Sequence, residues 1–423
     1  MKYRQRVADI LLNRKLQEKG AVLIEGPKWC GKTTTARQQS KSVLDLGDSV
    51  VLQDSVEAMQ VFPGRLLSGK TPRLLDEWQQ IPRLWDMVRS EVDKRQQEGQ
   101  FILTGSSVPP SQNDIHHSGT GRFSRLRMRT MSLWESQESV GAVSLGELFD
   151  GKTFEPCEND VGIEQVAYML CRGGWPQATF QRGNIALEHA RDYFEAIYKV
   201  DVHRVDDLRR SSERTRSILR SYARNQGAAV SLSKIGDDVK VSENMSISYE
   251  TVSSYVDVLE KLFVVEDMHA WNPNLRSKTA IQSTSTRYLT DPSISTAALG
   301  LGPGDLLNDL PTFGMMFEAM AVRDLRIYAD VLQGEVFHFR DAKGLECDAV
   351  LHRRDGSYGL IEIKLGGAEN IEKGVKTLQT LASKIDTTKM KAPSFLMVLT
   401  AVGKFAYRRP DGVYVVPITC LKY

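Results

Sequence analysis

The chain has 423 residues, room for two to four domains at roughly 100–200 residues each, and its 41% hydrophobic and 26% charged composition is that of a globular protein able to bury sizeable cores. Its 55 basic and 53 acidic residues leave a net charge of +2, so a nucleic-acid face would have to come from local clustering rather than overall charge. Five scattered cysteines without a C-x-x-C pair speak against a disulfide framework or a zinc site, the charged first twenty residues against a signal peptide, and the lack of any apolar run near about 18 residues against a membrane span, so a reduced, cytoplasmic protein with no membrane partner is expected.

Val7, Ile10, Leu11 and Leu16 recur at helical spacing before Gly20, and AVLIE (residues 21–25) then reads as a short buried strand. It leads into Gly26-Pro27-Lys28-Trp29-Cys30-Gly31-Lys32-Thr33, a complete G-x-x-x-x-G-K-[ST] loop, followed by the helical stretch TTTARQQSKS. This spacing suits ATP or GTP with magnesium. Glycines let the backbone curl so that its N–H groups face phosphates, and the next helix adds the positive end of its dipole. Lys32 reaches the β- and γ-phosphates and the Thr33 hydroxyl binds Mg²⁺, so the nucleotide-contacting set runs from Gly26 to Thr34. SVLDLG is a second strand and Arg73–Asp76 a third, ending in Asp76-Glu77 as a Walker B strand does. Asp76 would hold magnesium through water, and Glu77 would polarise the attacking water as general base. The other reading of this dipeptide is a surface acid pair opening a helix.

Residues 82–95 have helical periodicity, and Phe101-Ile102-Leu103-Thr104-Gly105-Ser106-Ser107 is a further buried strand ending in hydroxyls. Ser106 is either a sensor beside the γ-phosphate or part of a serine-rich turn. Arg122, after Gly119-Thr120-Gly121, is a candidate arginine finger. Arg125, Arg127 and Arg129 follow at two-residue spacing, the pattern of a strand with one basic, solvated face. Strands alternating with helices predict an α/β fold with a parallel sheet.

Beyond about residue 145 the strand signal fades. Residues 160–225 are mostly helical, broken at Gly173-Gly174-Trp175-Pro176. Arg204, Arg209, Arg210, Arg214, Arg216, Arg220 and Arg224 make a dense basic stretch: a solvated face, a nucleic-acid footprint, or the source of an arginine for a neighbouring nucleotide. Residues 226–290 read as two helices and a β-hairpin, the order of a winged helix. The presumed recognition helix carries Glu250, Asp257 and Glu260 against Lys261, which repels phosphate, so the unit reads as a packing or linker module. His116-His117 with Asp114 lacks a third ligand at a metal spacing, and Trp78, Trp85 and Trp134 read as packing residues.

In the last region a helix over 314–328 precedes two strands, LECDAVLH and YGLIEIKL, joined by the turn Arg354-Asp355-Gly356-Ser357. Alternation puts Glu362 and Lys364 on one face, with Asp348 opposite them on the neighbouring strand. Two carboxylates there can bind Mg²⁺, and a lysine beside them can activate water for phosphodiester hydrolysis. Glu318, on the preceding helix, could supply a further acid group. This D-x₁₃-E-x-K hairpin resembles the PD-(D/E)XK nuclease fold. The alternative is a hairpin with a polar exposed face and Ile361, Ile363 and Leu365 buried.

GPKWCGKTT, LLDEWQQIP, FILTGSS and the GR-x-x-x-L…LWE stretch together resemble the prokaryotic AAA-type P-loop ATPases that carry a domain of unknown function behind the ATPase core. The GGWP element, Tyr288-Leu289-Thr290-Asp291 and the R-D…E-x-D…I-E-x-K series extend the resemblance over nearly the whole chain. Lys28 stands where arginine is commoner, and Trp29 and Cys30 are bulkier than the pattern expects. The resemblance implies ATP rather than GTP, in keeping with the lack of an N-K-x-D-like guanine reader. The expected α/β architecture is an AAA-type ATPase core (1–145) with a helical lid (146–225), a winged-helix-like unit (226–290) and a restriction-endonuclease-like domain (291–423). The expected activity is Mg²⁺-dependent ATP hydrolysis at Lys32, Thr33, Asp76 and Glu77, gating a DNA-directed site at Asp348, Glu362 and Lys364. A nucleotide-controlled switch, whose C-terminal domain only binds a protein or nucleic-acid partner, is the second reading. An NTPase regulated by assembly into a homo-oligomer is the third.

Overall fold

The computed structural model describes residues 3–105, 119–205, 210–272 and 284–423. The first unit comprises α1 (Val7–Glu18), β1 (Ala21–Glu25), α2 (Lys32–Gln39), β2 (Ser42–Asp45), α3 (Ser49–Val61), β3 (Arg73–Asp76), α4 (Leu84–Arg95), β4 (Phe101–Thr104) and β5 (Phe123–Arg127). Its strands lie in the order β2-β3-β4-β1-β5, all parallel, as expected from the alternation of strands and helices. The central strands are continuous apolar runs because helices cover both faces. Side-chain alternation divides them between two cores. Val22, Ile24, Leu74 and Ile102 pack toward α1 and α2, whereas Leu23, Leu75, Phe101 and Leu103 pack toward Leu84, Trp85 and Val88 of α4. Parallel strands bring their C-terminal ends, at Glu25, Asp76 and Thr104, to one edge of the sheet.

The second unit is helical: α5 (Ile163–Arg172), α6 (Gly183–Lys199), α7 (Ser212–Arg224), α8 (Leu232–Glu243), α9 (Tyr249–Lys261) and α10 (Pro292–Leu299). Helices α6 to α10 share a core that includes Tyr193, Phe194, Ile218, Tyr222, Leu259 and Ile294, whereas Val166, Ala167 and Leu170 of α5 pack in the core around α1. The hairpin expected after α9 is present as isolated antiparallel bridges, Val265 with Leu289 and Met268 with Thr286. Helix α10 packs on α6 and α7, so the helical unit runs on to Leu299, past the division drawn at 290.

The third unit holds α11 (Leu310–Val331), β6 (Gly334–Arg340), β7 (Glu346–Arg353), β8 (Tyr358–Lys364), α12 (Ala368–Lys384), β9 (Phe395–Thr400), β10 (Phe405–Arg408) and β11 (Tyr414–Pro417). They form a mixed sheet in the order β10-β11-β9-β8-β7-β6, extended past β10 by residues Cys157–Glu158. Strands β6, β7 and β8 are antiparallel, whereas β8, β9 and β11 run parallel, with α12 crossing from β8 to β9. Both edges of this sheet are occupied: Cys157–Glu158 covers β10, and Ala270 bridges to His338 on β6.

Candidate functional site

Backbone geometry builds the loop after β1. Gly31 sits in the left-handed region (φ 102°) as the N-cap of α2, and a Cβ on Gly26 would collide with the Met128 carbonyl oxygen. No side chain caps the first turn of α2, and that turn, Lys32-Thr33-Thr34, holds no acid, so its amides remain available to an anion. Lys32 is buried, and its ammonium donates to the Gly26 and Pro27 carbonyls, both at 2.8 Å. Thr33 Oγ1 donates to Asp76 Oδ1 at 2.9 Å, and Thr104 Oγ1 donates to the same oxygen at 2.5 Å. The β3–β4 register sets Thr104 opposite Asp76, which is why one carboxylate gathers both hydroxyls. Glu77 has a left-handed backbone (φ 53°) opening a short 3₁₀ turn, Trp78–Gln80, and Gln79 Nε2 donates to its Oε2 at 2.5 Å.

A cavity of about 920 Å³ is lined by Lys32, Thr33, Thr34, Glu77 and Gln79, with Tyr3, Arg4 and Arg6 from the N-terminal segment. The helical unit closes it with Trp175, Pro176, Phe180, His189, Asp201 and Arg204. That volume is at the upper end for a site enclosing one small ligand. The middle of the loop has other work. Lys28 Nζ pairs with Asp201 Oδ1 at 2.5 Å, the ring of Trp29 lies 5.6 Å from that of Tyr193, and Cys30 is buried. Arg6, which the motifs did not reveal, donates to the Cys30 carbonyl (2.8 Å), the Arg129 carbonyl (2.9 Å) and Glu135 Oε1 (2.9 Å), bracing the loop from behind. Arg204 is exposed at the cavity wall, a place the basic stretch of the sequence allowed for.

Ser106 lies outside the described residues. Arg122 lies at the far end of the sheet: its carbonyl accepts from Ala21 N–H, at the start of β1, and its guanidinium pairs with Asp93 at 2.8 Å. It does not meet this chain's own P-loop. The solvated basic face expected at Arg125, Arg127 and Arg129 is revised in part: Arg125 is exposed, where it pairs with Glu25. Arg129 is buried between Glu266 and Asp330, both at 2.6 Å, and Arg127 faces Glu266 at 3.5 Å. In the helical unit Arg220 and Arg224 pair with Glu243 and Asp238, and Arg210 lies over the Tyr255 ring; Arg209 lies outside the described residues. What remains exposed of the basic stretch on α7 is Arg214 and Arg216.

The C-terminal hairpin brings Asp348, Glu362 and Lys364 together as the alternation predicted. Lys364 Nζ lies 2.8 Å from Asp348 Oδ2 and 2.7 Å from Glu362 Oε2, and the Ile363 amide donates to Asp348 at 2.7 Å. Glu318 on α11 joins them electrostatically and accepts from the Tyr288 hydroxyl at 2.6 Å. Burial, then the charge of Asp348, pushes the Glu318 carboxyl up to about 8, and the same two causes push Glu362 up to about 7. Burial works against the Lys364 ammonium, yet the two carboxylates outweigh it and hold the charged form more firmly than usual. Among the described residues no three His, Cys, Asp or Glu side chains are grouped as a metal site; at Asp348 and Glu362, the expected magnesium ligands, the ammonium of Lys364 stands between the carboxylates.

One buried carboxylate ties the three units. Asp291 accepts from Thr130 Oγ1 (2.6 Å), the Gly174 amide (3.0 Å), Ser293 Oγ (2.6 Å) and Arg323 Nη1 (3.1 Å). Arg323 also pairs with Asp324 at 2.7 Å, whose other oxygen takes the Leu133 amide at 2.9 Å. The GGWP, Tyr288–Asp291 and Arg323-Asp324 elements of the sequence pattern therefore meet in one polar knot.

Residues 18–137 match the family model described as an AAA domain. Residues 163–305 and 313–421 match two models, each described as a domain of unknown function (DUF8612 and DUF4143). An uncharacterized protein of Mycobacterium tuberculosis is 24% identical over 377 residues, covering 88% of this chain and 76% of the relative, and one of Mycobacterium bovis matches with the same figures. The Walker-type ATPase of Pyrococcus abyssi overlays 69% of this chain and 94% of its own at 15% identity and a TM-score of 0.43. AMPPCP-bound DnaA of Aquifex aeolicus overlays 60% and 86%, at 15% identity and a TM-score of 0.29. Overlays at these TM-scores carry no functional argument. The AAA-domain match supports an AAA-type ATPase domain, and with it ATP binding and hydrolysis. No helix of the described residues is long and apolar enough to cross a membrane.

Proposed function

We propose that this protein binds Mg²⁺·ATP in the cavity above α2 and hydrolyses it, and that the C-terminal acid–lysine cluster acts on DNA under that control. The observation that carries the ATPase half is convergence: Lys32, Thr33 and Glu77, from two separate segments, face one cavity at the C-terminal edge of a parallel sheet, and the buried Asp76 accepts from Thr33 just behind them. The donor set fits the ligand. Amides of the first turn of α2 suit phosphate oxygens, and the Thr33–Asp76 pair is the hydroxyl and carboxylate that would hold Mg²⁺. Bound Mg²⁺ would neutralise phosphate charge. Lys32 would exchange its two carbonyl partners for phosphate, and Glu77 would take the proton of the attacking water. Arg204 is the arginine on the cavity wall able to offset charge from the lid side.

The DNA half is favoured by a second convergence, that of Glu318, Asp348, Glu362 and Lys364 from α11, β7 and β8. The reading in which this domain only binds a partner is favoured by the lysine already bridging both carboxylates. One experiment separates them: ATP turnover and cleavage of linear, single-stranded and branched DNA, measured in parallel with Mg²⁺, with and without ATP. DNA cleavage lost in Asp348→Ala and Lys364→Ala, with ATP turnover retained, supports the first. ATP turnover without cleavage of any DNA overturns it and leaves the nucleotide-controlled switch.

A further inference from the structure

We propose that Gln79 is a positioning residue for Glu77: its amide N–H fixes the rotation of the carboxylate that takes the proton of the attacking water. The inference rests on the ATPase reading above and deepens it.

Three observations carry it. The first is the contact itself. Gln79 is only 9% exposed, and Nε2 donates to Glu77 Oε2 at 2.5 Å. The terminal torsion of a glutamate is broad, so an unclamped carboxylate samples many angles. A donor on one oxygen, held in place by burial, removes that freedom. The second is the local backbone. Glu77 adopts a left-handed conformation, and the 3₁₀ turn Trp78–Gln80 folds the chain back so that residue 79 returns to residue 77. A non-glycine residue in that region is a cost kept where the surrounding structure needs it. Below the turn, Trp78 packs on Trp85 with ring centroids 5.2 Å apart, which anchors it.

The third is the other end of the amide. Gln79 Oε1 is buried and has no hydrogen-bond partner among the described residues. It lies against the α-carbon of Gly105, where β4 ends, and a Cβ on Gly105 would collide with it. Gly105 is therefore needed for space, not for backbone freedom, since its φ is not in the positive region. Turning the amide over would set its oxygen against the carboxylate of Glu77, acceptor against acceptor, so Glu77 itself fixes which end faces Gly105. Gln79 and Glu77 line the same cavity as Lys32 and Thr33.

The test uses the full chain. Misplacing a catalytic group by about an ångström costs on the order of 10²-fold in rate, so Gln79→Ala is expected to lower kcat by on the order of 10²-fold with KM for ATP unchanged. Gln79→Glu keeps the volume but removes the donor, and should lose as much. Calorimetric titration should show both variants binding Mg²⁺·ATP as the wild type does but binding ADP with aluminium fluoride more weakly, because the clamp matters only when water and transferring phosphoryl group are aligned. In a Glu77→Ala background, Gln79→Ala should add nothing, as expected of groups that act as a unit. A wild-type kcat in both variants, a raised KM at unchanged kcat, or a loss that multiplies with that of Glu77→Ala overturns the inference while leaving the ATPase reading intact. No ATP turnover by the wild-type chain overturns both.

Discussion

Asp291 is a carboxylate fully withdrawn from water yet surrounded by donors from four segments. Its negative charge is tolerable because Arg323 supplies a positive one and the remaining lone pairs are filled. Removing the arginine would leave both Asp291 and Asp324 buried and uncompensated. Arg323→Ala is therefore expected to cost about 3–5 kcal/mol, read as a lower denaturant midpoint. Glu318 gives a pH signature of opposite origin. In the folded chain burial and the charge of Asp348 push its carboxyl up to about 8, whereas unfolded it releases its proton near the ordinary glutamate value of 4.5. Between those values the folded state binds more protons, so its contribution to stability falls as pH rises and is gone above the folded value. Unfolding curves of wild type and Glu318→Gln should diverge in that direction across the window, the variant gaining relative to wild type toward pH 8. At this scale the sequence was informative where chemistry is local. Lys32 and Thr33 stood out by the spacing of their loop, Asp76 and Glu77 by their place between that loop and FILTG, and Asp348, Glu362 and Lys364 by strand alternation. The partner of Lys28 was not legible, because Asp201 is 173 positions away.

Elements decide where a residue's side chain is useful. Arg122 looked like a finger by its glycine-rich context, yet β5 pairs in parallel with β1, so the residue before β5 falls at the end opposite the P-loop. The arginines of α7 looked like a nucleic-acid footprint, but Asp238 and Glu243, on a different helix, neutralise Arg220 and Arg224. Counting like charges along one segment misses such partners. The last residues are a further example. Leu421–Lys422 pair in parallel with Val143–Ser144, Ser139 Oγ donates to the Leu421 carbonyl at 2.7 Å, and Leu421 is fully buried. This two-residue strand straps the third unit to the end of the first. Leu421→Ala should cost about 2–5 kcal/mol, with the midpoint of chemical unfolding shifted and its slope unchanged. No periodicity signals a strand so short.

Across the whole molecule, α11 connects the two candidate sites. Its 22 residues carry Glu318 at the acid–lysine cluster, then Arg323 at Asp291, and Asp330 at Arg129. Asp291 holds the Gly174 amide, and the next two residues, Trp175 and Pro176, line the nucleotide cavity. Nucleotide that reshapes the cavity wall is therefore expected to act on the knot that fixes α11. Hydrogen exchange of α11 amides should change on addition of Mg²⁺·ATP to wild type and should not change in Lys32→Ala; identical exchange with and without nucleotide in wild type would uncouple the sites. The unit boundaries were only partly legible, because the knot is assembled from segments that composition assigns to different units. The central claim is that the cavity above Lys32 is an ATP site. It is tested most directly by calorimetric titration of Mg²⁺·ATP onto wild type and Lys32→Ala. Saturable binding by the wild type that is lost in the variant is the predicted result; equal binding by both, or none by the wild type, would contradict it.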